Sequence, residues 1–170
     1  MKSSLILLAS LSLITSAVQA AETVVTLSGV HNCCKGCTNG IIKAAADVKD
    51  TTVTAEGKTV TITSKSKANA KKAVEAIVAA GYYGTSDSEE KAATTGSSAA
   101  PKKLTEATVS SVHLCCQKCA NAMADAVKSV PGVTEHTVAS KASSFTVKGD
   151  FTEAELTAAL NKAGFAASIK

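Results

Sequence analysis

The sequence has no tryptophan and only five aromatic side chains, two Tyr and three Phe, among 170 residues. So few aromatics argue against a large, aromatic-rich catalytic core. Hydrophobic residues make up 45% of the chain, but 31 of them are Ala, so the core has less bulk than that share suggests. A strong charge of one sign is also missing. Eighteen basic against fourteen acidic residues give a formal net of +4, too weak a bias to argue for nucleic acid. The chain is not an acidic disordered one either. There is no Gly-rich phosphate loop, and no nucleophile motif surrounds any Ser. Glu22, Glu56, Asp125 and Glu135 do not form a paired-carboxylate site. His136 stands alone in a strand-like stretch and reads as exposed. Lys71-Lys72 and Lys102-Lys103 read as solvated surface, able to tune docking to an acidic partner. These absences leave no argument for an enzyme beyond thiol redox chemistry.

What is present in excess is cysteine, six residues in all, and what precedes them sets their compartment. Lys2 is followed by an apolar run from Leu5 to Ile14, broken only by small residues, and then by Val18-Gln19-Ala20. This pattern predicts a secretory signal peptide over 1–20, cleaved after Ala20. The run is too short to span the ~30 Å of bilayer hydrocarbon. Nothing later in the chain is long and apolar enough to do so, so no membrane insertion is expected after leader removal. The mature protein is expected to be periplasmic or secreted, with a formal charge of +3 once Lys2 is lost. Thiols exported there tend towards disulfides unless something protects them.

The chain repeats itself. His31-Asn32-Cys33-Cys34-Lys35-Gly36-Cys37 recurs 82 residues later as His113-Leu114-Cys115-Cys116-Gln117-Lys118-Cys119, with the His and all three Cys in register. Strand-like stretches precede both copies, Thr23–Val30 and Thr105–Val112. Helical patterns follow, Ile41, Ala45 and Val48 in the first and Met123, Ala126, Val127 and Val130 in the second. Two strand-like pieces come next in each copy. They are Thr51–Glu56 and Thr59–Thr63 across a Gly57-Lys58 turn, then Val133–Ala139 and Ser144–Lys148. Second helices place Val74, Ile77, Val78 and Gly81, or Leu156, Ala159, Leu160 and Ala163, on one face. Thr152 and Glu155 form a capping box at the start of the latter. Gly81 and Gly164 suit helix ends that need a left-handed residue.

The order β-α-β-β-α-β in each copy predicts an α+β protein of two ferredoxin-like βαββαβ domains. Each has a four-stranded antiparallel sheet with two helices on one face. The expected domains are 21–86 and 104–170. The Ser-, Thr-, Ala- and Lys-rich stretch 87–103 between them reads as a flexible linker. A unit of about 65 residues has only a marginally stabilising core, which a bound metal would help.

These residues resemble the heavy-metal-associated domain family. That family includes small copper chaperones, the amino-terminal domains of copper-exporting pumps, and the periplasmic mercury-binding protein. Its motif is Gly-Met-Thr-Cys-x-x-Cys between the first strand and first helix. Cys34 and Cys37, and Cys116 and Cys119, match the two cysteines. Pro131-Gly132-Val133 is similar to the family's Pro-Gly-Val before strand two. Gly81-Tyr82 and Gly164-Phe165 are similar to its Gly-aromatic pair. The departures fall at the motif itself. The family Gly is His31 and His113, the family Met is Asn32 and Leu114, and the family Thr is Cys33 and Cys115. The resemblance implies metal exchange with a metal-donating or metal-accepting protein, such as a transport ATPase or another heavy-metal-associated domain.

Chemically, Cys-x-x-Cys at a loop-to-helix junction puts two sulfurs within reach of one ion. The helix N-terminus favours thiolate, the metal-binding form. Soft thiolates select Cu(I), Zn(II) or Hg(II) over hard ions. Cys33 with His31, or Cys115 with His113, would complete a Cys₃His set for Zn(II). The expectation is one soft ion per domain, Cu(I) or Zn(II) foremost, at an exposed loop. The linker would let the two sites engage one partner or share one ion. The alternatives are a sequestering buffer, a metal sensor or an exported thiol–disulfide redox protein using the same Cys pairs. Purely structural disulfides fit less well, because three thiols per unit leave one unpaired.

Overall fold

The computed structural model describes residues 22–87 and 103–170. The expected leader and most of the expected linker lie outside them. Twelve elements follow in chain order. The first unit contains β1 (Thr23–Ser28), α1 (Lys35–Ala44), β2 (Thr51–Glu56), β3 (Thr59–Ser64), α2 (Lys67–Ala79) and β4 (Thr85–Ser86). The second contains β5 (Lys103–Ser110), α3 (Gln117–Lys128), β6 (Val133–His136), β7 (Ser144–Thr152), α4 (Glu153–Lys162) and β8 (Ser168–Ile169). The sheets run β2-β3-β1-β4 and β6-β7-β5-β8 with antiparallel pairing throughout. This is the expected pair of ferredoxin-like units. No described helix is long and apolar enough to cross a membrane.

Alternation explains the layers. Val25 and Leu27 of β1 and Val60 and Ile62 of β3 point inward, against Ile41 of α1 and Ala73, Val74 and Ile77 of α2. The second unit repeats this with Ala107, Val109, Phe145 and Val147 against Met123, Val127, Leu156 and Leu160. Thr52, Thr54 and Glu56 of β2 face outward and are exposed. Fully burying one large aliphatic side chain contributes about 1.5–3 kcal/mol. A core this small therefore gains materially from whatever the unit docks against. The capping box is present: Thr152 N–H donates to Glu155 Oε2 at 2.9 Å, and Glu155 N–H to Thr152 Oγ1 at 3.2 Å.

Several boundaries differ from the sequence reading. β1 stops at Ser28 rather than Val30 because Gly29 turns left-handed at φ 83°. β5 stops at Ser110 because Ser111, at the matching position, does the same at φ 58°. The regular ladder ends at such a residue, although past Gly29 the Val30 N–H still donates to Lys58 O at 3.0 Å. β5 starts earlier than expected, at Lys103, which therefore belongs to a strand, with a register shift between Leu104 and Glu106. Leu104 pairs with Phe151 there, adding an apolar cross-strand contact. Ala45 and Val48 lie just past the end of α1 rather than within it.

Candidate metal centre

The left-handed turns at Gly29 and Ser111 send each chain from the sheet edge into its His-x-Cys-Cys stretch. Cys34 and Cys116 are extended N-cap residues of α1 and α3, and Cys37 and Cys119 lie in the first turns. Carbonyl oxygens close those turns: Cys37 N–H donates to Cys34 O at 3.0 Å and Ala120 N–H to Cys116 O at 3.1 Å. Leu114 is buried at the family's Met position. Asn32 instead accepts a hydrogen bond from Thr38 Oγ1 at 2.9 Å.

The two loops face each other. The units dock through their Gly-aromatic corners, with Tyr82 and Phe165 forming an antiparallel bridge. His31 N–H and Tyr83 N–H both donate to Gly164 O at 3.1 Å, and Ala166 N–H donates to Gly81 O at 3.1 Å. The stacking is reciprocal. His31 lies 4.3 Å from Phe165, and His113 lies 4.6 Å from Tyr82, centroid to centroid. Gly81 and Gly164 have φ of 91° and 84°. A Cβ on Gly81 would sit 2.6 Å from His113 N, and one on Gly164 would strike His31 N and Gly29 O. Both glycines thus serve the helix end and the close approach of the units. The sequence reading saw only the first role. Tyr82 and Phe165, which in the sequence resemble a family's Gly-aromatic pair, here join the two units.

Docking brings all six cysteines into one cluster of free thiols. Cys37 Sγ lies 3.6 Å from Cys115 Sγ and Cys119 Sγ, and 3.8 Å from Cys33 Sγ and Cys34 Sγ. Cys119 Sγ lies 3.6 Å from Cys33 Sγ and Cys115 Sγ, and 3.7 Å from Cys116 Sγ. Cys34–Cys115 and Cys33–Cys116 complete the contacts at 3.8 and 3.9 Å. Cys37 and Cys119 are fully buried, and the other four are half-buried. The expected pair of separate, exposed loops is therefore replaced by one shielded cluster between the units.

The imidazoles sit at its margin and reach across. One ring nitrogen of His31 groups with Cys33 and Cys119, and one of His113 with Cys37 and Cys115. Each His thus meets a cysteine of the other unit. Nε2 of both is buried without a hydrogen-bond partner, which fits a nitrogen available to an ion. Burial lowers both histidines' pKa, aided for His31 by Lys58 and His113, and so keeps the rings neutral and able to ligate.

The thiols are unlike one another. N–H groups of Cys119 and Lys118 at the start of α3 pull Cys116 down to about 6, against some desolvation. Burial works to raise Cys37, but the Cys33 backbone and contacts from Cys119, Cys115 and Cys33 leave it lowered. Burial pushes Cys33 and Cys115 up to about 12, and Cys119 upward as well. Thiolates this close suppress each other's ionisation unless a cation joins them. A soft cation replacing the protons removes that conflict.

Tyr82 carries the one buried hydroxyl of the described residues that lacks a partner. Burial and the nearby cysteines raise its pKa, so it stays protonated. Phe165 fills the corresponding corner without a hydroxyl. An unsatisfied buried polar group costs about 1–3 kcal/mol. Tyr82→Phe is therefore expected to raise the metal-free protein's stability by about 1 kcal/mol in urea unfolding. A loss of stability would show that the hydroxyl is satisfied in solution.

Residues 108–166 match the family described as heavy-metal-associated domain. No curated protein matches the chain. Among solved structures, the chain is similar to the N-terminal soluble domains of Bacillus subtilis CopA, solved in solution, at 15% identity. The match covers 89% of this chain and 95% of that one, with a TM-score of 0.32. The second unit thus carries the signature of a heavy-metal-associated domain, and heavy-metal binding or transfer is the function that signature supports.

Proposed function

We propose that the protein is an exported, two-domain carrier of soft metal ions, with Cu(I) or Zn(II) as cargo and Hg(II) as a further candidate. In this reading the first unit is a second heavy-metal-associated domain. Its matching element order, motif register and left-handed turn at Gly29 support that. The observation that carries the reading is the gathering of six free thiols with sulfurs 3.6–3.9 Å apart. Soft cations are the natural occupant of such a set. Direct ligation falls to Cys33, Cys34, Cys37, Cys115, Cys116 and Cys119, with His31 and His113 at the margin. Export rests on Lys2, the run Leu5 to Ile14 and Val18-Gln19-Ala20. Shielding of the cluster between the units favours guarded storage. Handover to a metal-accepting protein, such as a transport ATPase or another heavy-metal-associated domain, would proceed when the units part, one thiolate at a time.

The test is a native mass spectrum of the mature protein, purified from its export compartment with its thiols untouched. The expected result is a chain beginning at Ala21 with bound Cu or Zn, lost in Cys34→Ser/Cys116→Ser. Metal-free protein with paired cysteines that resists reloading after reduction would overturn the metal reading. Thiol–disulfide chemistry would then take its place.

A further inference from the structure

We infer that the docked units hold a single polynuclear Cu(I)–thiolate cage, not two separate metal sites. The inference rests on the soft-metal reading above and comes from the shape of the sulfur cluster. Nine sulfur pairs are 3.6–3.9 Å apart. Three more pairs, Cys33–Cys34, Cys34–Cys116 and Cys115–Cys116, are within 4.8 Å. Six points joined by these twelve contacts form an octahedron. Its opposite corners are then the three remaining pairs, Cys33 and Cys115, Cys34 and Cys119, and Cys37 and Cys116. Every opposite pair takes one sulfur from each unit, so neither unit can build the figure alone.

An octahedron of ligands discriminates between metals. Any four of its corners include an opposite pair, so four sulfurs alone do not enclose a tetrahedral zinc ion, which would have to draw its fourth ligand from His31 or His113. Each face, in contrast, offers three. A triangle with sides of 3.6–3.9 Å, as at Cys37-Cys115-Cys119 and Cys33-Cys116-Cys119, has its centre about 2.1–2.3 Å from each corner, close to the ~2.3 Å of a metal–thiolate bond. Three-coordinate, soft Cu(I) fits such a face. Four alternate faces can be filled at once, with every sulfur bridging two ions. Cys33, Cys34 and Cys37 form one face of such a set, and Cys37, Cys115 and Cys119 another.

The charge also closes. Loading releases a proton from each cysteine still protonated, and the six thiolates with four Cu(I) leave the cage doubly negative. The N-termini of α1 and α3 both meet it, through Cys34 and Cys37 and through Cys116 and Cys119. Each brings a partial positive charge. This explains the third cysteine of each motif. Without Cys33 and Cys115, two Cys-x-x-Cys pairs supply four sulfurs, enough for separate ions but not for the figure.

The experiment is an anaerobic titration of the reduced mature chain with Cu(I) against a competing chelator. It is read by native mass spectrometry and by copper X-ray absorption. About four Cu(I) per chain are expected. Alternate face centres lie two-thirds of an edge apart, so a Cu–Cu vector of about 2.5 Å is also expected. Cys33→Ser/Cys115→Ser, checked as folded by circular dichroism, is expected to load about two Cu(I) with no such vector. A wild-type chain that stops at two ions without the vector overturns the cage and leaves the soft-metal reading standing. So does a double variant that still loads four. A wild-type chain that retains no Cu(I) under the chelator overturns the cage, and one that holds neither Cu(I), Zn(II) nor Hg(II) overturns the soft-metal reading as well.

Discussion

Replacing Gly164 by Val is expected to separate the two units while leaving both folded. A Cβ there would strike His31 N and Gly29 O, backbone atoms that cannot rotate away. The collision displaces two hydrogen bonds to Gly164 O, each contributing about 1 kcal/mol. Docking should weaken by about 2 kcal/mol, roughly 30-fold, before the collision itself is counted. The left-handed φ costs the second unit a further 1–2 kcal/mol or so, independently of docking. Small-angle scattering should show a larger radius of gyration for the metal-free variant than for wild type. Circular dichroism should show little change in helix content. An unchanged radius would mean that the corner contacts do not hold the units together.

The second large effect is expected from Cys37→Ser. Cys37 is buried and touches four other sulfurs, two from each unit. A hydroxyl is a hard, neutral ligand in place of a soft anion. Structural thiolate sites bind their metal with roughly 10–16 kcal/mol, shared among three or four ligands. Loss of one ligand is then worth about 4 kcal/mol, close to 10³-fold in affinity. Cu(I) competition with a chelator measures it directly. An affinity within tenfold of wild type would place the ion away from this cluster. Cys119→Ser should behave alike, since Cys119 also touches four sulfurs.

Much of the fold was legible because its signals are local. Alternation in β1 and β3, the helical spacing of Ile77 or Leu160, and the Thr152–Glu155 box each report on a few neighbouring residues. Boundaries were less legible where one residue's backbone decided them. Ser111 gives no compositional hint of φ 58°, yet it ends β5. The thiols and imidazoles of the site were legible as types and spacing. Their assembly into one cluster was not, because packing of one unit's loop against the other leaves no periodicity. Two signals did point that way: an odd thiol in each unit, and a Gly-aromatic corner in both. The leader and the stretch 88–102 lie outside the described residues, so the structure does not bear on either expectation.

Two identical chains related by a two-fold axis must carry every substitution twice, so their shared centre stays symmetric. Two units fused in one chain are free to drift apart. Here one corner stacks His31 on Phe165, while the other stacks His113 on Tyr82. One motif is backed by polar Asn32 and the other by buried Leu114. The two flanks of the cluster are therefore chemically distinct: the buried corner at Tyr82 carries a hydroxyl, and the buried corner at Phe165 carries none.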